Sequence, residues 1–130
     1  MQNTDFSRRT MKVHNKYINH IIDSLKKDGY KISADHIENQ NKLPREVNGF
    51  KPDIIAEKNN QEIIIEVEIC GALLFKDHLK IKRFSSDKRK FILVVPPECL
   101  NLAETRKRMF HYNMEIRCIE PFKDFKIDMN

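Results

Sequence analysis

The segment Ile63-Ile64-Ile65-Glu66-Val67-Glu68-Ile69-Cys70 has the aliphatic, β-branched character of a buried strand, yet it carries two glutamates. Acidic residues are depleted in strands and are almost never fully buried without a partner. Just upstream, Pro52 and Asp53 lead into Ile54-Ile55-Ala56-Glu57, a second strand-like run, and Lys58-Asn59-Asn60-Gln61 lies between the two. Asn tolerates the positive φ that tight hairpin turns demand, so Asn59-Asn60 reads as a two-residue loop. Lys58 then faces Gln61, and Asp53 lies opposite Glu66 with Cβ atoms roughly 4.5–5.5 Å apart. Side chains alternate along a strand, so Glu66 and Glu68 share that face, about 7 Å apart. Three carboxylates therefore converge at one end of a hairpin. A divalent cation that takes oxygen ligands, such as Mg²⁺, would relieve their repulsion. The plainer reading is a half-exposed hairpin whose polar face is acidic.

The rest of the chain bounds what such a site can serve. Its 130 residues suffice for one core and leave no room for a second domain. Hydrophobic content of 40% and charged content of 33% are those of an ordinary soluble globular protein. A run of apolar residues long enough to span a membrane is missing, as is a signal-peptide pattern, so the expected location is cytoplasmic. Cys70, Cys99 and Cys118 are odd in number and widely spaced. They suit a reducing compartment and read as small core residues, not as zinc ligands or nucleophiles.

The net charge is +5, and its placement is uneven. Basic residues gather at Arg8, Arg9 and Lys12, at Lys76, Lys80, Lys82 and Arg83, at Lys88 to Lys90, and at Arg106 to Arg108. A basic surface around an acidic pocket fits a polyanion held by its phosphates and a metal held by carboxylates. Solubilising helix faces would produce the same clusters.

Hydrophobic spacing orders the elements. His14, Tyr17, Ile18, Ile21, Ile22 and Leu25 predict a helix from about Ser7 to Asp28, stopped by Gly29. Tyr30 to Ile37 reads as a strand and Glu38 to Gly49 as a loop. After the acidic hairpin, Ala72 to Phe84 reads as a second helix. Phe91 to Val95 is a strand apolar on both faces, bounded by Pro96-Pro97. Asn101 with Glu104 resembles a capping box opening a third helix to about Tyr112, and Glu115 to Ile119 is a last strand. The order α-β-β-β-α-β-α-β implies parallel crossovers attached to one antiparallel hairpin, hence an α/β mixed central sheet flanked by helices.

Pro52-Asp53, then Glu66-x-Glu68 on the following strand, set in that order of elements, resembles the PD-(D/E)XK nuclease superfamily with its restriction-endonuclease-like fold. The resemblance spans about residues 8–119 and leaves a short tail, 120–130. In its economy the chain is similar to archaeal Holliday-junction resolvases and other minimal nucleases. The resemblance implies that Asp53 and Glu66 ligate Mg²⁺ or Mn²⁺ and that Val67 adds its backbone carbonyl. The third motif position, normally lysine, is Glu68, a further ligand or a base for the attacking water. Some relatives carry the lysine on the next helix, where Lys76 and Lys80 stand one turn apart. Others have lost activity.

The expectation is a metal-dependent endonuclease acting on DNA as a homodimer, because so small a nuclease needs a second subunit to address two strands. An inactive subunit that binds nucleic acid or a partner protein, and a nuclease for RNA or single strands, are the alternatives. Arg8, Arg9, Lys76, Lys80 and Arg83 are candidates for nucleic-acid contact; arginines at a helix N-terminus oppose the macrodipole and favour an anionic partner there. His14, Glu38, Arg45 and His78 are weaker site candidates. Phe122, Phe125 and Ile127 in the tail are placed to pack on the domain or on a second subunit.

Overall fold

In chain order the elements are helix α1 (Asn3–Lys27), strands β1 (Lys31–Ala34), β2 (Ile54–Lys58) and β3 (Gln61–Val67), helix α2 (His78–Ser85), strand β4 (Lys90–Val95), helix α3 (Leu100–Phe110) and strand β5 (Glu115–Cys118). The structure is a computed structural model and describes residues 3–34, 43–70, 78–120 and 122–128, with side chains from residue 12 onward. The strands form one mixed sheet in the order β1-β2-β3-β4-β5. The β1-β2 and β2-β3 pairs are antiparallel, and β3-β4 and β4-β5 are parallel.

The hairpin register is the one the turn dictates. Asn59 and Asn60 both adopt positive φ, 54° and 62°. Lys58 faces Gln61, and the pairing runs down to Ile54 opposite Ile65. One more step places Asp53 beside Glu66.

Alternation along the strands divides the core into two layers. Ile54, Ala56, Ile63, Ile65 and Val67 face α1, which buries Ile18, Ile21, Ile22 and Leu25 against them. Ile55 and Ile64 face the other way, onto Ile81 and Phe84 of α2 and Ala103 of α3. By the same parity Asp53, Glu66 and Glu68 belong to the α2 side. Burying four large aliphatic residues along α1 stabilises the sheet by roughly 1.5–3 kcal/mol each. Gly29, at φ +90°, turns the chain from α1 into β1, where Tyr30 N–H donates to the Leu25 carbonyl.

Several details differ from the sequence-based expectations. Helix α3 begins at Leu100, and Asn101 lies inside it instead of capping it. Pro97 opens a 3-10 turn, Pro97–Cys99, that runs directly into the helix, with Cys99 N–H on the Pro96 carbonyl. Proline is preorganised for a first helical turn, so the start moves upstream of the Asn101/Glu104 pair. Strand β1 is described only to Ala34; the remainder of the expected strand and Glu38 lie outside the described residues. Val47, in the expected loop, forms an isolated bridge with Phe50, the residue that follows the loop.

The cysteines are corrected as well. Cys70 and Cys99 are disulfide-bonded, with Cα atoms 5.3 Å apart, and only Cys118 carries a free thiol. Parallel pairing of Val67 with Val94 brings the ends of β3 and β4 side by side. The 3-10 turn then folds Cys99 back beside Cys70. That turn is not visible in cysteine spacing. Of the tail, Phe125 and Ile127 are buried in the α1 layer and Phe122 is exposed. Among the described residues, no helix is long and apolar enough to cross a membrane.

Candidate functional site

All three carboxylates predicted to converge do so, and all are buried: Asp53 is 4% exposed, Glu66 1% and Glu68 4%. A half-exposed acidic face is thereby excluded. The cluster sits at the end of the sheet where β2 begins and β3 finishes. Glu66 Oε1 accepts the Asp53 backbone N–H at 2.9 Å, and Asp53 Oδ2 accepts the Val67 N–H at 2.9 Å. These two bonds continue the hairpin ladder with side chains in place of carbonyls. Glu68 N–H still donates to the Val94 carbonyl, so the backbone under the second glutamate remains part of the sheet.

Two cations reach the cluster from opposite layers. From α2, Lys80 Nζ lies 2.5 Å from Glu66 Oε2 and 3.3 Å from Glu68 Oε1. From α1, His14 Nε2 lies 3.2 Å from Asp53 Oδ2 and 3.1 Å from the Val67 carbonyl oxygen. A protonated Nε2 thus donates to both acceptors. The sequence offered His14 only as a weak candidate; its place on the buried stripe of α1, one turn before Ile18, was the available signal.

Electrostatics separate the acids. Burial raises Glu66, and the neighbouring Asp53 charge adds to it; against the opposing pull of Lys80 the carboxyl still sits at about 7. Burial also works to raise Asp53, but the hydrogen bond and charge of His14, with the Val67 N–H, outweigh it and the net shift is downward. His14 is lowered by burial and raised more by Asp53, so its net shift is upward. The result is a His14–Asp53 ion pair beside a glutamate that titrates near neutrality. Such perturbation by desolvation plus specific charges is characteristic of functional sites.

The other candidates fall elsewhere. Lys76 lies outside the described residues, as do the side chains of Arg8 and Arg9. Arg83 is exposed at the far half of α2, where its carbonyl accepts a hydrogen bond from Asn48. Arg45 does not reach the site: it pairs with Glu62 at the opposite end of β3. His78 bonds Tyr112 through Nδ1 and stacks near Phe110, turned away from Lys80 by its position on α2.

As a ligand set the cluster is chemically uniform. Asp53, Glu66 and Glu68 supply carboxylate oxygens and Val67 a carbonyl oxygen, the donors that suit Mg²⁺ and Mn²⁺. Among the described residues, no group of three or more His, Cys, Asp or Glu is arranged as a preformed metal cage. The Lys80 ammonium lies among these oxygens. No family model matches the chain, and no curated protein or solved structure does either.

Proposed function

We propose that this chain is a metal-dependent endonuclease of the restriction-endonuclease-like type, hydrolysing DNA phosphodiester bonds from the Asp53, Glu66, Glu68 and Lys80 cluster. The observation that carries the reading is the burial of three carboxylates around the Lys80 ammonium at the end of a strand pair. A buried charge cluster is costly unless its charges are paired and hydrogen-bonded, and a cost of that kind is often retained at a functional site.

Asp53, Glu66 and the Val67 carbonyl would hold Mg²⁺ or Mn²⁺, with Glu68 as a further ligand or as a base. Such an ion would supply the positive charge that activates water and neutralises the phosphoryl oxygens. His14 keeps Asp53 ionised and fixes its orientation through Nε2. Glu68 is placed to accept a proton from water, and Lys80, once turned from the carboxylates, is a compact point charge for a phosphate oxygen. The motif lysine that the strand lacks is thereby delivered from the following helix. The reading carries with it an intracellular location and a second copy of the chain to address the second strand of a duplex.

One observation favours a second reading. Lys80 already touches both Glu66 and Glu68. If that pairing is permanent, the chain is an inactive subunit with a salt bridge in place of a metal.

Calorimetric titration of Mn²⁺ and Mg²⁺, paired with melting curves, separates the two. Binding of an ion to the native cluster raises the melting temperature, and 100 Kd of ligand adds about 2.7 kcal/mol. The expected result is a rise with millimolar metal that Asp53→Asn removes, together with cleavage of duplex or branched DNA. A melting temperature indifferent to metal, with no cleavage of branched, duplex or single-stranded substrates, would assign the inactive subunit.

A further inference from the structure

The sheet ends in a strand with one open side. Strand β5 pairs with β4 alone and closes the order β1-β2-β3-β4-β5. Ile119 N–H donates to the Val95 carbonyl, and the parallel register sets Leu93 beside Ile116 and Val95 beside Cys118. Backbone groups alternate sides along a strand. Those of Glu115, Arg117 and Ile119 therefore face β4, and those of Ile116 and Cys118 point outward. Among the described residues, no backbone hydrogen bond reaches them from that side. A groove of about 550 Å³ runs along this edge, between Leu100 and Glu104 of α3 and Phe125 and Lys126 of the tail.

An open edge accepts another strand, and its side chains decide which one. Ile116 and Cys118 lie against the layer of α2 and α3. Arg117 is on the tail side, with its guanidinium 4.6 Å from the Phe125 ring centre and Nη1 on the Lys126 carbonyl at 2.7 Å. Glu115 shares that side. Its Oε2 lies 3.6 Å from Arg117 Nη1 and its Oε1 3.6 Å from Lys90 Nζ, both longer than a hydrogen bond. The Arg117 and Glu115 side chains are 32% and 38% exposed, so an arriving strand can reach both.

We propose that β5 is the docking edge for a second copy of this chain, joined by two-fold antiparallel pairing centred on Ile116. Outward groups must meet outward groups, so the axis passes through a residue and not between two. An axis at Arg117 sets the two Arg117 side chains opposite each other, and one at Glu115 does the same with the glutamates. Like charges so placed are destabilising. An axis at Cys118 leaves Arg117 facing Ile119 and Ile116 facing Glu120. Only an axis at Ile116 sets Glu115 of each copy opposite Arg117 of the other, with the two Ile116 side chains side by side. Those charged pairs are then of the non-hydrogen-bonded, closer kind, with Cα atoms about 4.5 Å apart. The edge is self-complementary in that register. Such docking does not rest on the nuclease reading, yet it bears on it. The axis is normal to the sheet, so both carboxylate clusters lie on the α2 side of one continuous ten-stranded sheet, their β3 strands about 24 Å apart across it.

Sedimentation velocity without metal or DNA reads the association independently of any cleavage. Over about a hundredfold range of concentration the wild type should pass from monomer to dimer. Arg117→Glu and Glu115→Arg should each abolish the dimer, because each sets like charges opposite one another. An equimolar mixture of the two should restore it, since every facing pair is then opposite in charge. Arg117 also holds the tail, so the mixture is the decisive arm: a variant that had merely unfolded would not be rescued by its complement. Hydrogen exchange locates the contact. Amides of Ile116 and Cys118 should be protected in the dimer and open in either variant alone, whereas amides of residues 117 and 119, bonded to β4, stay protected throughout. A wild type that is monomeric at every concentration overturns the proposal. So does a dimer whose Ile116 and Cys118 amides exchange as fast as the monomer's, and so does a mixture of the variants that stays monomeric.

Discussion

Glu62 and Glu66 stand on the same face of β3, one near the hairpin turn and one near the strand's end, and they lead opposite lives. Glu62 is cross-strand from Glu57, a like charge, and is answered by two arginines: Arg45 Nη2 at 2.8 Å and Arg89 Nη1 at 3.0 Å. Arg89 in turn holds Asp87 through Nε at 2.7 Å and Nη2 at 3.0 Å. The Glu62 side chain is 25% exposed, so water screens what the arginines leave over. Glu66 is 1% exposed and, among the described residues, meets one lysine. Arginine is a fixed fork that cannot lose its proton, whereas lysine is a point charge on a flexible stem. The turn end is therefore a solvent-screened arginine–carboxylate network. On the proposed reading, the lysine at the far end is the charge that a metal ion would displace.

The largest expected effect lies in cleavage. Asp53→Asn and Glu66→Gln should each lower the rate by a factor on the order of 10³ or more, since on the proposed reading each removes a carboxylate that would hold the metal. Glu62→Gln, on the same strand face, should stay within about threefold, because its contacts end in the scaffold. Single-turnover rates on one DNA substrate with Mn²⁺ read all three. Comparable losses from Glu62→Gln and Glu66→Gln would erase the distinction between the two ends.

Metal-free stability provides the next test. The folded-state pKa of Glu66 stands at about 7, above the ordinary 4.5, so between those values the native state binds more protons than the unfolded one. Stability then falls as pH rises through that window, by about 3 kcal/mol. His14 adds to the loss. Its pKa is raised, so its contribution is present below 6.5 and disappears as pH climbs through the raised value. Asp53, lowered from 3.8, acts only on the acid side, where its contribution is lost as pH falls through its depressed pKa. Urea denaturation of metal-free protein should thus show a fall from about pH 5 to pH 8 that Glu66→Gln largely removes and saturating Mn²⁺ reverses. A flat profile in the wild type would mean that Glu66 is ionised throughout by Lys80.

Third in size is Glu68→Gln, with cleavage lower by about 10² and DNA binding retained, as loss of a general base predicts. Wild-type cleavage in Glu68→Gln alongside an inactive Lys80→Ala would move the burden to the lysine.

How much of this was written in the sequence depends on the range of the interaction. The Asn59-Asn60 turn and strict alternation are local, and they were enough to place Asp53 beside Glu66 and to set Glu68 on the same side. The two aliphatic layers follow from the same alternation. Lys80 was legible as one of two lysines a turn apart, but its approach to Glu66 depends on how α2 docks, which spacing does not encode. His14 required knowing that α1 crosses the opposite layer yet reaches round the strand ends. The Cys70–Cys99 pair depended on a 3-10 turn whose proline signal was outweighed, in reading, by the capping pattern at Asn101. Arg45 was drawn toward the site by its nearness in sequence to Asp53, when the antiparallel path carries it to Glu62 instead.

The smallest expected effect belongs to the scaffold end. Arg89→Ala removes an arginine that touches both Glu62 and Asp87, so the loss is a small network and not one surface pair. Its side chain is 27% exposed, however, and solvent screens both contacts. Exposed ion pairs are typically worth about 0–1 kcal/mol, and the expected cost is therefore no more than about 1 kcal/mol. The cost should shrink in 1 M salt, where the Debye length is about 3 Å. Part of it comes from Glu57 and Glu62, which remain opposite each other with Arg45 as the nearer relief. Denaturant midpoints at low and high salt measure both figures. A loss of several kcal/mol, insensitive to salt, would show the turn end to be as desolvated as the site, and the contrast between Glu62 and Glu66 would then rest on the identity of their partners alone.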